Sequence, residues 1–391
     1  MSKNIKVGID IGTYQVKVVV SELVYENEKK NFKIIANSLS ESKGLRHGYI
    51  INTEDVKESL LNALSKVEKI IGFRVNEALV SIGGEGLQSF SSQGHSIISR
   101  ADLEITDLDV NRALETAEES IDKAYIQNRK ILHTVPLFYK IDGKVVLGNS
   151  PVGMKGTKLE VKCLYITCIE QHFIDIIDAV ESCGISVLEV LASPIVASTV
   201  VLTKSQKIAG CVLVNIGAET VSVVVFEDNN PISLEVFPIG ASDVTNDIAL
   251  GLKVSIEEAE NIKKGAITHT SVSKKKLDEI IQARIYDMFE IIESHLKKIG
   301  KNAILPAGIF ITGGGSNIAT IEDLARATLK LPSRIANLNI NEKGKVVDST
   351  WAVAYGLTVI GLNGFGEKSY SSKNIFSKIK PIISWFKQFL P

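Results

Sequence analysis

The sequence predicts an α/β protein made of two similar halves, with a further segment inserted into the first half. Three observations support this fold class. Short apolar runs typical of strands alternate with amphipathic helical segments along most of the 391 residues. A strand–turn–strand unit near the start recurs about two hundred residues later, which indicates an internal duplication. Between the two copies, residues 85–157 differ in character from the segments on either side.

The composition describes a soluble globular protein and argues against several functional classes. Apolar residues make up 45% of the chain, charged residues 23%, and the formal net charge is −1. A chain with almost no net charge has no overall positive potential that would attract nucleic acid, so we expect no nucleic-acid partner. The chain shows no signal peptide and no apolar span long enough to cross a bilayer. Four cysteines without paired C-x-x-C spacing predict buried thiols in a reducing cytoplasm, rather than disulfides or a zinc site.

The first element is a hairpin, with apolar runs at residues 7–11 and 16–20 around a polar turn. Gly12 has no side chain, so the backbone there can approach a ligand closely. Successive N–H groups in such a turn can form a concave site for an anion. Lys17 supplies a cation beside the turn, and Asp10 lies where it could hold a hydrated metal ion through water. The hairpin therefore predicts a phosphate clamp, although an ordinary edge hairpin with solvated charges is the alternative.

The next elements continue the alternation of strands and helices. We predict a strand at residues 32–39, a turn at 44–48, a helix at 54–71 capped by Thr53, and a buried strand at 78–82. The insert then follows with an edge strand at 88–100, a helix that begins after Thr106 and a strand at 131–141. Because no cluster of reactive residues occurs in it, we expect the insert to be a module for contacts. After the insert, we expect the first half to continue with a strand at 159–168, a helix at 172–182 and a strand at 187–191, followed by a short helix that begins at Pro194.

The second strand–turn–strand unit spans residues 210–225 and has its turn around Gly217. Two halves that each offer a turn to the same phosphates would hold a nucleotide from both sides. The later segments are a charged helix at 256–264, a long amphipathic helix at 277–298, a strand running into three glycines at 308–315, and helices at 321–331 and 351–360. The glycine turn would let the backbone lie flat against a ring or a ribose. The charged helix, taken alone, is also typical of a solvated surface helix stabilised by i,i+4 pairs.

This order of two phosphate turns, a charged helix and a G-G-G turn resembles the actin-like ATPase superfamily. The insert resembles the 1C subdomain of the FtsA family of bacterial cell-division proteins. The resemblance covers essentially the whole chain and implies an actin-like (ribonuclease H-like, duplicated) fold that binds ATP and Mg2+. The residues that it places at the nucleotide are Asp10, Gly12, Thr13, Tyr14, Gln15 and Lys17 in the first phosphate loop, Asn215, Gly217, Ala218, Glu219 and Thr220 in the second, Glu260, Lys263 and Lys264 in the adenosine helix, and Gly313, Gly314, Gly315 and Ser316 in the adenosine loop.

Two positions depart from the pattern of relatives that hydrolyse ATP well. Asn215 stands where such relatives usually carry an Asp that holds the Mg2+-bound water, and a neutral amide is a weaker ligand for a hard cation. Ser193, just before Pro194, stands where a Glu would polarise the attacking water, and a hydroxyl is a poor base. We therefore assign no catalytic residue and expect slow or negligible hydrolysis, with ATP acting as a conformational and assembly cofactor.

The C-terminal segment differs from the rest of the chain. After a polar linker at residues 366–373, residues 374–391 follow a helical pattern with apolar side chains on one arc and most lysines on the opposite arc. This pattern is typical of an in-plane membrane anchor. A helix docked on the protein's own core is the alternative, and Pro381 should kink or restart the helix. The expected membrane-facing residues are Ile375, Phe376, Ile379, Ile382, Ile383, Trp385, Phe386, Phe389 and Leu390.

Three functional classes remain open. The tail favours an FtsA-type scaffold, whose family polymerises and tethers FtsZ filaments to the cytoplasmic face of the cell membrane at midcell. A pilus-assembly adaptor resembling PilM and an active actin-like ATPase or sugar kinase are the alternatives. The resemblance implies the FtsZ C-terminal tail as a partner, on the subdomain that includes the helix at 277–298, and other division proteins at the insert. On this helix, the guanidinium of Arg284 could bind carboxylates of an acidic tail, and a solvated helix residue is the alternative. The subdomains that it implies are 1A at residues 1–84 and 158–192, 1C at 85–157, 2A at 193–230 and 306–365, and 2B at 231–305.

Overall fold

The computed structural model describes residues 4–26, 29–148, 150–266, 273–338 and 348–364. The linker at 366–373 and the predicted anchor at 374–391 lie outside the described residues. Within the described ranges, no helix has both the length and the apolar character that crossing a membrane requires.

The first half begins with the predicted hairpin. Its elements are β1 (Ile5–Ile11), β2 (Gln15–Glu26), β3 (Lys29–Glu41), β4 (Leu45–Arg46), β5 (Tyr49–Ile50), α1 (Thr53–Ile71) and β6 (Glu77–Ile82). Strands β1 and β2 are antiparallel, and β6 pairs with β1 in parallel. The expected helix cap at Thr53 is wrong by one residue, because the Asn52 side chain accepts hydrogen bonds from the N–H groups of Glu54 and Asp55.

The insert is an antiparallel sheet with two helices. Its elements are β7 (Gln88–Ile97), α2 (Asp107–Glu119), α3 (Lys123–Ile126), β8 (Arg129–Ile141), β9 (Lys144–Val145) and β10 (Lys158–Ile169), and its strand order is β7-β10-β8-β9. We expected the strand at 159–168 in the first half, and this location is wrong, because β10 pairs with β7 and β8. Residues 163–168 of β10 are all buried, so this part of the strand lacks the alternation of buried and exposed residues that would indicate which sheet it joins.

The second half repeats the plan of the first. It is reached through α4 (Glu170–Glu181), β11 (Ser186–Ala192), α5 (Ser193–Val201) and α6 (Lys204–Ala209). It contains β12 (Cys211–Ile216), β13 (Val221–Glu227), β14 (Asn230–Phe237), α7 (Ala241–Leu252), α8 (Ile256–Lys263), α9 (Lys274–Lys298), β15 (Gly308–Thr312), α10 (Ile321–Leu329) and β16 (Ser333–Ile335). The last described helix is α11 (Ala352–Leu362). The first sheet has the order β11-β6-β1-β2-β3, and the second has the equivalent order β16-β15-β12-β13-β14. In each sheet, an antiparallel hairpin is flanked by a third antiparallel strand on one side and two parallel strands on the other. The shared order confirms the internal duplication.

Helices α5 and α11 belong to a buried core that contains residues of both sheets. We expected residues 306–365 to belong to the second half, but α11 packs on β1 and β2 of the first sheet. The hydroxyls of Ser21 and Thr358 are 2.8 Å apart and join α11 to β2. Gly356 permits the close approach of α11 to α5, since a Cβ there would lie 2.6 Å from the carbonyl oxygen of Val196. The remaining subdomain boundaries stay predictions.

The four cysteines are free thiols. Cys163, Cys168 and Cys211 are buried, as predicted, whereas Cys183 is partly exposed. Burial raises the pKa of the Cys163, Cys168 and Cys211 thiols to about 12. These thiols therefore stay protonated at neutral pH and pack as small apolar side chains.

Candidate functional site

A cavity of about 530 Å3 lies between the two halves, beside the turns that follow β1 and β12. Predicted site residues from four separate stretches of the chain meet there. Those that line the cavity are Asp10, Gly12, Thr13, Tyr14, Gln15, Lys17, Asn215, Gly217, Ala218, Thr220, Glu260, Lys263, Lys264, Gly313, Gly314 and Gly315. Ser193 lines it as well, whereas Glu219 and Ser316 do not.

The two turns have the same backbone hydrogen bond. The N–H of Gly12 donates to the carbonyl of Gln15 at 3.1 Å, and the N–H of Gly217 donates to the carbonyl of Thr220 at 2.8 Å. A Cβ at either glycine would lie 3.0 Å from that carbonyl oxygen. The duplication therefore extends from strand order to the conformation of the turns, and both turns present backbone without an intervening side chain at the glycine.

Asp10 and Lys17 are neighbours beneath the first turn. They are directly opposite in the β1–β2 pairing, so both side chains lie on one face of the sheet. Ser81 Oγ donates to Asp10 Oδ1 at 2.8 Å, and Lys17 Nζ donates to the carbonyl of Thr350 at 2.7 Å. Burial raises the pKa of Asp10 and lowers that of Lys17, and the attraction between the two charges opposes both shifts. The cavity therefore contains a partly buried carboxylate and a partly buried ammonium that stabilise each other's charged form.

Glu260 on α8 is the centre of a hydrogen-bonded network at the second half. Its carboxylate lies 2.7 Å from Lys263 Nζ and 3.1 Å from Lys264 Nζ, and it accepts a hydrogen bond from Thr245 Oγ1 at 2.6 Å. Burial would raise the pKa of Glu260, but the hydrogen bonds from Lys263, Thr245 and Lys264 outweigh it and lower that pKa. The Lys264 ammonium also lies 5.6 Å from the centre of the Tyr14 ring, across the cleft. This part of α8 therefore lines the cavity, and the interpretation as a purely solvated helix does not apply to it.

The glycine turn after β15 is packed against the end of β12. Gly313 has a φ of 90°, and a Cβ there would overlap Asn215 Oδ1 and the carbonyl oxygen of Ile216. A Cβ on Gly314 would meet open space. Ser316 is buried, and its hydroxyl donates to the carbonyl of Gly313 at 2.7 Å, so it supports the turn without lining the cavity.

Glu219 connects the second turn to the first half. Its carboxylate accepts a hydrogen bond from the backbone N–H of His47 at 2.5 Å, and His47 Nδ1 lies 3.3 Å from the carbonyl oxygen of Glu219. His47 belongs to the turn between β4 and β5, and the next residue, Gly48, lines the cavity. The Glu219 side chain is therefore hydrogen-bonded to the opposite half, and its contact with the nucleotide stays a prediction.

The segment before α11 was missed by the sequence analysis. Asp348, Ser349 and Thr350 line the cavity, and Asp348 accepts a hydrogen bond from the N–H of Thr350 at 3.1 Å. A D-S-T sequence directly before an apolar helix is a helix-start signal, so the pattern was available. The sequence could not show that Thr350 lies next to Lys17, because the two residues are 333 positions apart.

Arg284 is engaged in an ion pair on α9 and does not line the cavity. Its Nε and Nη2 donate to the two carboxylate oxygens of Asp247 at 2.6 and 3.0 Å. Asp287 lies 3.6 Å from the same guanidinium. The residue is about 29% exposed, so the pair is accessible at the surface. The predicted membrane-facing residues lie outside the described residues.

Two family models match the chain. The model described as cell division protein FtsA matches residues 212–356, and the model described as the SHS2 domain inserted in FtsA matches residues 84–167. The second range contains the strands of the four-stranded insert, including most of β10. The chain is 30% identical to the cell division protein FtsA of Borreliella burgdorferi, over 97% of this chain and 96% of that protein. It is 28% identical to that of Pseudomonas aeruginosa, over 91% of this chain and 89% of that protein.

Solved structures share the fold. A chain of a PilM–PilN type IV pilus biogenesis complex superposes with a TM-score of 0.64 at 17% identity, over 91% of this chain and 98% of that one. MreB5 of Spiroplasma citri, bound to ADP, gives a TM-score of 0.52 at 13% identity, over 91% and 96%. The predicted actin-like fold is therefore confirmed. Because the duplicated fold, the inserted sheet and the near full-length sequence similarity agree, this chain belongs to the cell division protein FtsA family and is an actin-like division scaffold.

Proposed function

We propose that this scaffold binds ATP with Mg2+ in the cavity between its halves. The observation that carries the proposal is the pair of equivalent glycine turns, at Gly12 and Gly217, on opposite sides of one cavity. Backbone N–H groups of the turns, other than those of Gly12 and Gly217 themselves, would hold the phosphates, and Lys17 would neutralise part of the charge. The cavity of about 530 Å3 has a suitable size, because small-molecule sites commonly measure about 300–1,000 Å3.

The adenosine part of the ligand would bind to the second half. Gly314 offers open space for a flat ring, and Glu260 supplies an ionised carboxylate that can accept hydrogen bonds from ribose hydroxyls. Lys264 is held between Glu260 and the Tyr14 ring, so its ammonium would close the outer side of the cavity.

Mg2+ would be held mainly through water. Mg2+ prefers carboxylate oxygens and keeps several water ligands, and Asp10 is a partly buried carboxylate lining the cavity that fits this role. Asn215 and Ser193 provide an amide and a hydroxyl where efficient relatives carry carboxylates. No strong base therefore faces the attacking water from these two positions, and we expect slow or negligible hydrolysis. Nucleotide would act mainly on conformation and assembly.

The scaffold role would connect filaments of FtsZ to the cytoplasmic face of the membrane at midcell. Family membership supports this role, and the amphipathic pattern at residues 374–391 supports direct lipid contact. We further propose that the chain polymerises and that the acidic tail of FtsZ binds at α9, near Arg284. The likeness to the PilM–PilN complex is a likeness of fold, so it gives no separate support to a pilus-assembly role.

Vesicle co-sedimentation tests the complete proposal. Full-length protein, purified FtsZ of the same organism and vesicles with anionic lipid are mixed with ATP and Mg2+. FtsZ should sediment with the vesicles only when the scaffold is present. If the scaffold binds the vesicles while FtsZ stays in the supernatant, the tethering role is wrong, and nucleotide binding is then judged separately by calorimetry.

A further inference from the structure

Three residues of the inserted sheet form one row across its strands: Ser89 in β7, Ile166 in β10 and His133 in β8. Ile166 is directly opposite Ser89 in one strand pair and directly opposite His133 in the other. Side chains that are directly opposite in antiparallel strands lie on the same face. Because neighbouring strands are about 4.8 Å apart, the two polar residues are held roughly 10 Å apart on one sheet.

His133 contacts the first half at the start of α5. Its Nε2 accepts a hydrogen bond from the backbone N–H of Ala192 at 3.0 Å, and the residue is only 1% exposed. Ala192 is the cap residue of α5 and has no side chain that could cap it, and the next residue, Ser193, lines the cavity. Burial lowers the pKa of His133 to about 4, so at neutral pH the imidazole keeps the lone pair that this hydrogen bond needs. The backbone before Ser193 is therefore fixed by the insert.

Ser89 contacts the second half at β14. Its Oγ accepts a hydrogen bond from the N–H of Leu234 at 2.7 Å and donates one to the carbonyl of Leu234 at 3.1 Å. Strand β14 is at the edge of its sheet, where outward-facing backbone groups lack a strand partner. One hydroxyl therefore satisfies both groups of Leu234. Val236, two residues further along the strand, lines the cavity.

We propose that the Ser89–Ile166–His133 row is a spacer across the cleft, which fixes the separation of the two cavity walls and thereby couples the insert to nucleotide binding. This inference rests on the proposed nucleotide site and adds two positioning residues to it, since neither Ser89 nor His133 lines the cavity. A ligand that changes the separation of the halves must strain one of the two contacts. Coupling between two binding sites is reciprocal. A partner that binds the insert and shifts it therefore changes the affinity for nucleotide by the same factor by which nucleotide changes the affinity for that partner.

Calorimetry of ATP with Mg2+ on full-length variants tests the spacer. His133→Leu and Ser89→Ala each remove one contact, whereas His133→Gln retains an acceptor and Ser89→Thr retains a hydroxyl. His95→Leu and Ser91→Ala are matched controls at exposed positions of β7. Each contact-removing variant should weaken binding about fivefold or more, within the usual range of coupling between sites. The double variant should lose less than the product of the two single losses, because breaking either contact already frees the spacer. The retaining variants and controls should bind like wild type.

Three outcomes would overturn the spacer. If wild type binds ATP and the contact-removing variants bind equally well, although they melt at lower temperature, the row is only structural and the nucleotide site stands. If wild type does not bind ATP, the site and the spacer both fail. If the variants fold poorly, hydrogen exchange of the wild-type protein provides the test. ATP with Mg2+ should change the exchange rates of the Ala192 and Leu234 amides but not that of Val145, which lies at the far edge of the insert. Unchanged exchange at Ala192 and Leu234 overturns the spacer.

Discussion

His47 and Glu219 are hydrogen-bonded to each other beside the cavity, which their neighbours Gly48, Ala218 and Thr220 line. The contact joins the turn between β4 and β5 to the second phosphate turn, so it connects the two halves directly. Glu219 makes this connection through both its carboxylate and its backbone carbonyl. A nucleotide that enters or leaves by this side must pass beside the contact or break it.

Breaking this contact should speed nucleotide release. Glu219→Ala removes the carboxylate, whereas Glu219→Gln keeps an oxygen that can accept the hydrogen bond of His47. We expect Glu219→Ala to release a fluorescent ADP analogue several times faster in stopped-flow measurements, because a hydrogen bond to a charged group contributes about 1.5–3 kcal/mol. Glu219→Gln should lie between wild type and Glu219→Ala, because an uncharged acceptor makes a weaker hydrogen bond. Equal release from wild type and Glu219→Ala would mean that the contact does not control the exit.

Filling either glycine turn should abolish nucleotide binding. Gly12→Val and Gly217→Val each place a branched side chain beside a carbonyl oxygen 3.0 Å from the Cβ and in the space that the phosphates need. Calorimetry with ATP and Mg2+ should detect no binding to either variant. Gly72→Ala is a suitable control, since Gly72 ends α1 with a φ of 77° and no atom within 4 Å of a Cβ, so it should lower stability without affecting affinity. Two valine variants that are folded and still bind ATP would contradict the site.

Mild acid should destabilise the protein partly through His133. The pKa of His133 is about 4 in the folded protein, against about 6.5 in an unfolded chain. As the pH falls, the unfolded chain binds the proton first, so stability is lost from about pH 6.5 downward and the loss is complete near pH 4. His133 alone should remove about 1 kcal/mol between pH 7 and pH 5.5.

The variant His133→Gln should lack this contribution. Urea unfolding at pH 7 and pH 5.5 should therefore show a smaller loss of stability for His133→Gln than for wild type. The exposed residue His95 provides the control, because His95→Gln should keep the wild-type pH dependence. Identical losses in wild type and His133→Gln would contradict a low pKa at His133.

Charge introduced into the C-terminal segment should detach the protein from lipid. Burial of an aromatic side chain contributes about 1.5–3 kcal/mol when complete and less in an interfacial helix, so Trp385→Glu with Phe386→Glu should greatly reduce vesicle binding. Nucleotide binding should be unchanged. Higher salt should only weaken attachment, because the lysines contribute the smaller share. If the double variant still sediments with vesicles, or if deletion of the segment unfolds the core, the segment docks on the protein instead.

The ion pair of Arg284 gives a direct test of FtsZ docking. Because the guanidinium is already bound by Asp247, an acidic peptide has to compete for it. Arg284→Glu should reduce the affinity for an FtsZ tail peptide, whereas Asp247→Asn should preserve or increase it by releasing the arginine. Fluorescence anisotropy with a labelled peptide measures both. Unchanged affinity in Arg284→Glu would exclude this residue while leaving α9 open as the docking surface.

The sequence was sufficient for features that depend on local pattern. The hairpins around Gly12 and Gly217 follow from apolar runs and glycine placement, and their equivalence predicted the repeated sheet. Contacts between segments that are distant in the sequence could not be predicted from local pattern. Glu219 was expected at the nucleotide because its motif lies there, yet its partner His47 is 172 residues away and has no pattern of its own. Strand β10 was expected in the first half but joins the inserted sheet, and helix α11 was expected in the second half but packs on the first sheet. In both cases a buried run of residues carries no information about which sheet it completes.

The packing of α11 on the first sheet also has a consequence for biosynthesis. The ribosome makes β1 and β2 first and α11 more than three hundred residues later, as the 337-residue separation of Ser21 and Thr358 illustrates. At about 5–20 residues per second, the N-terminal sheet waits tens of seconds for the helix that covers it. A nascent chain interrupted before residue 352 therefore leaves apolar surface of β1 uncovered, and such a fragment is a natural target for chaperones and proteases. The first half is therefore complete only after α11 has been synthesised.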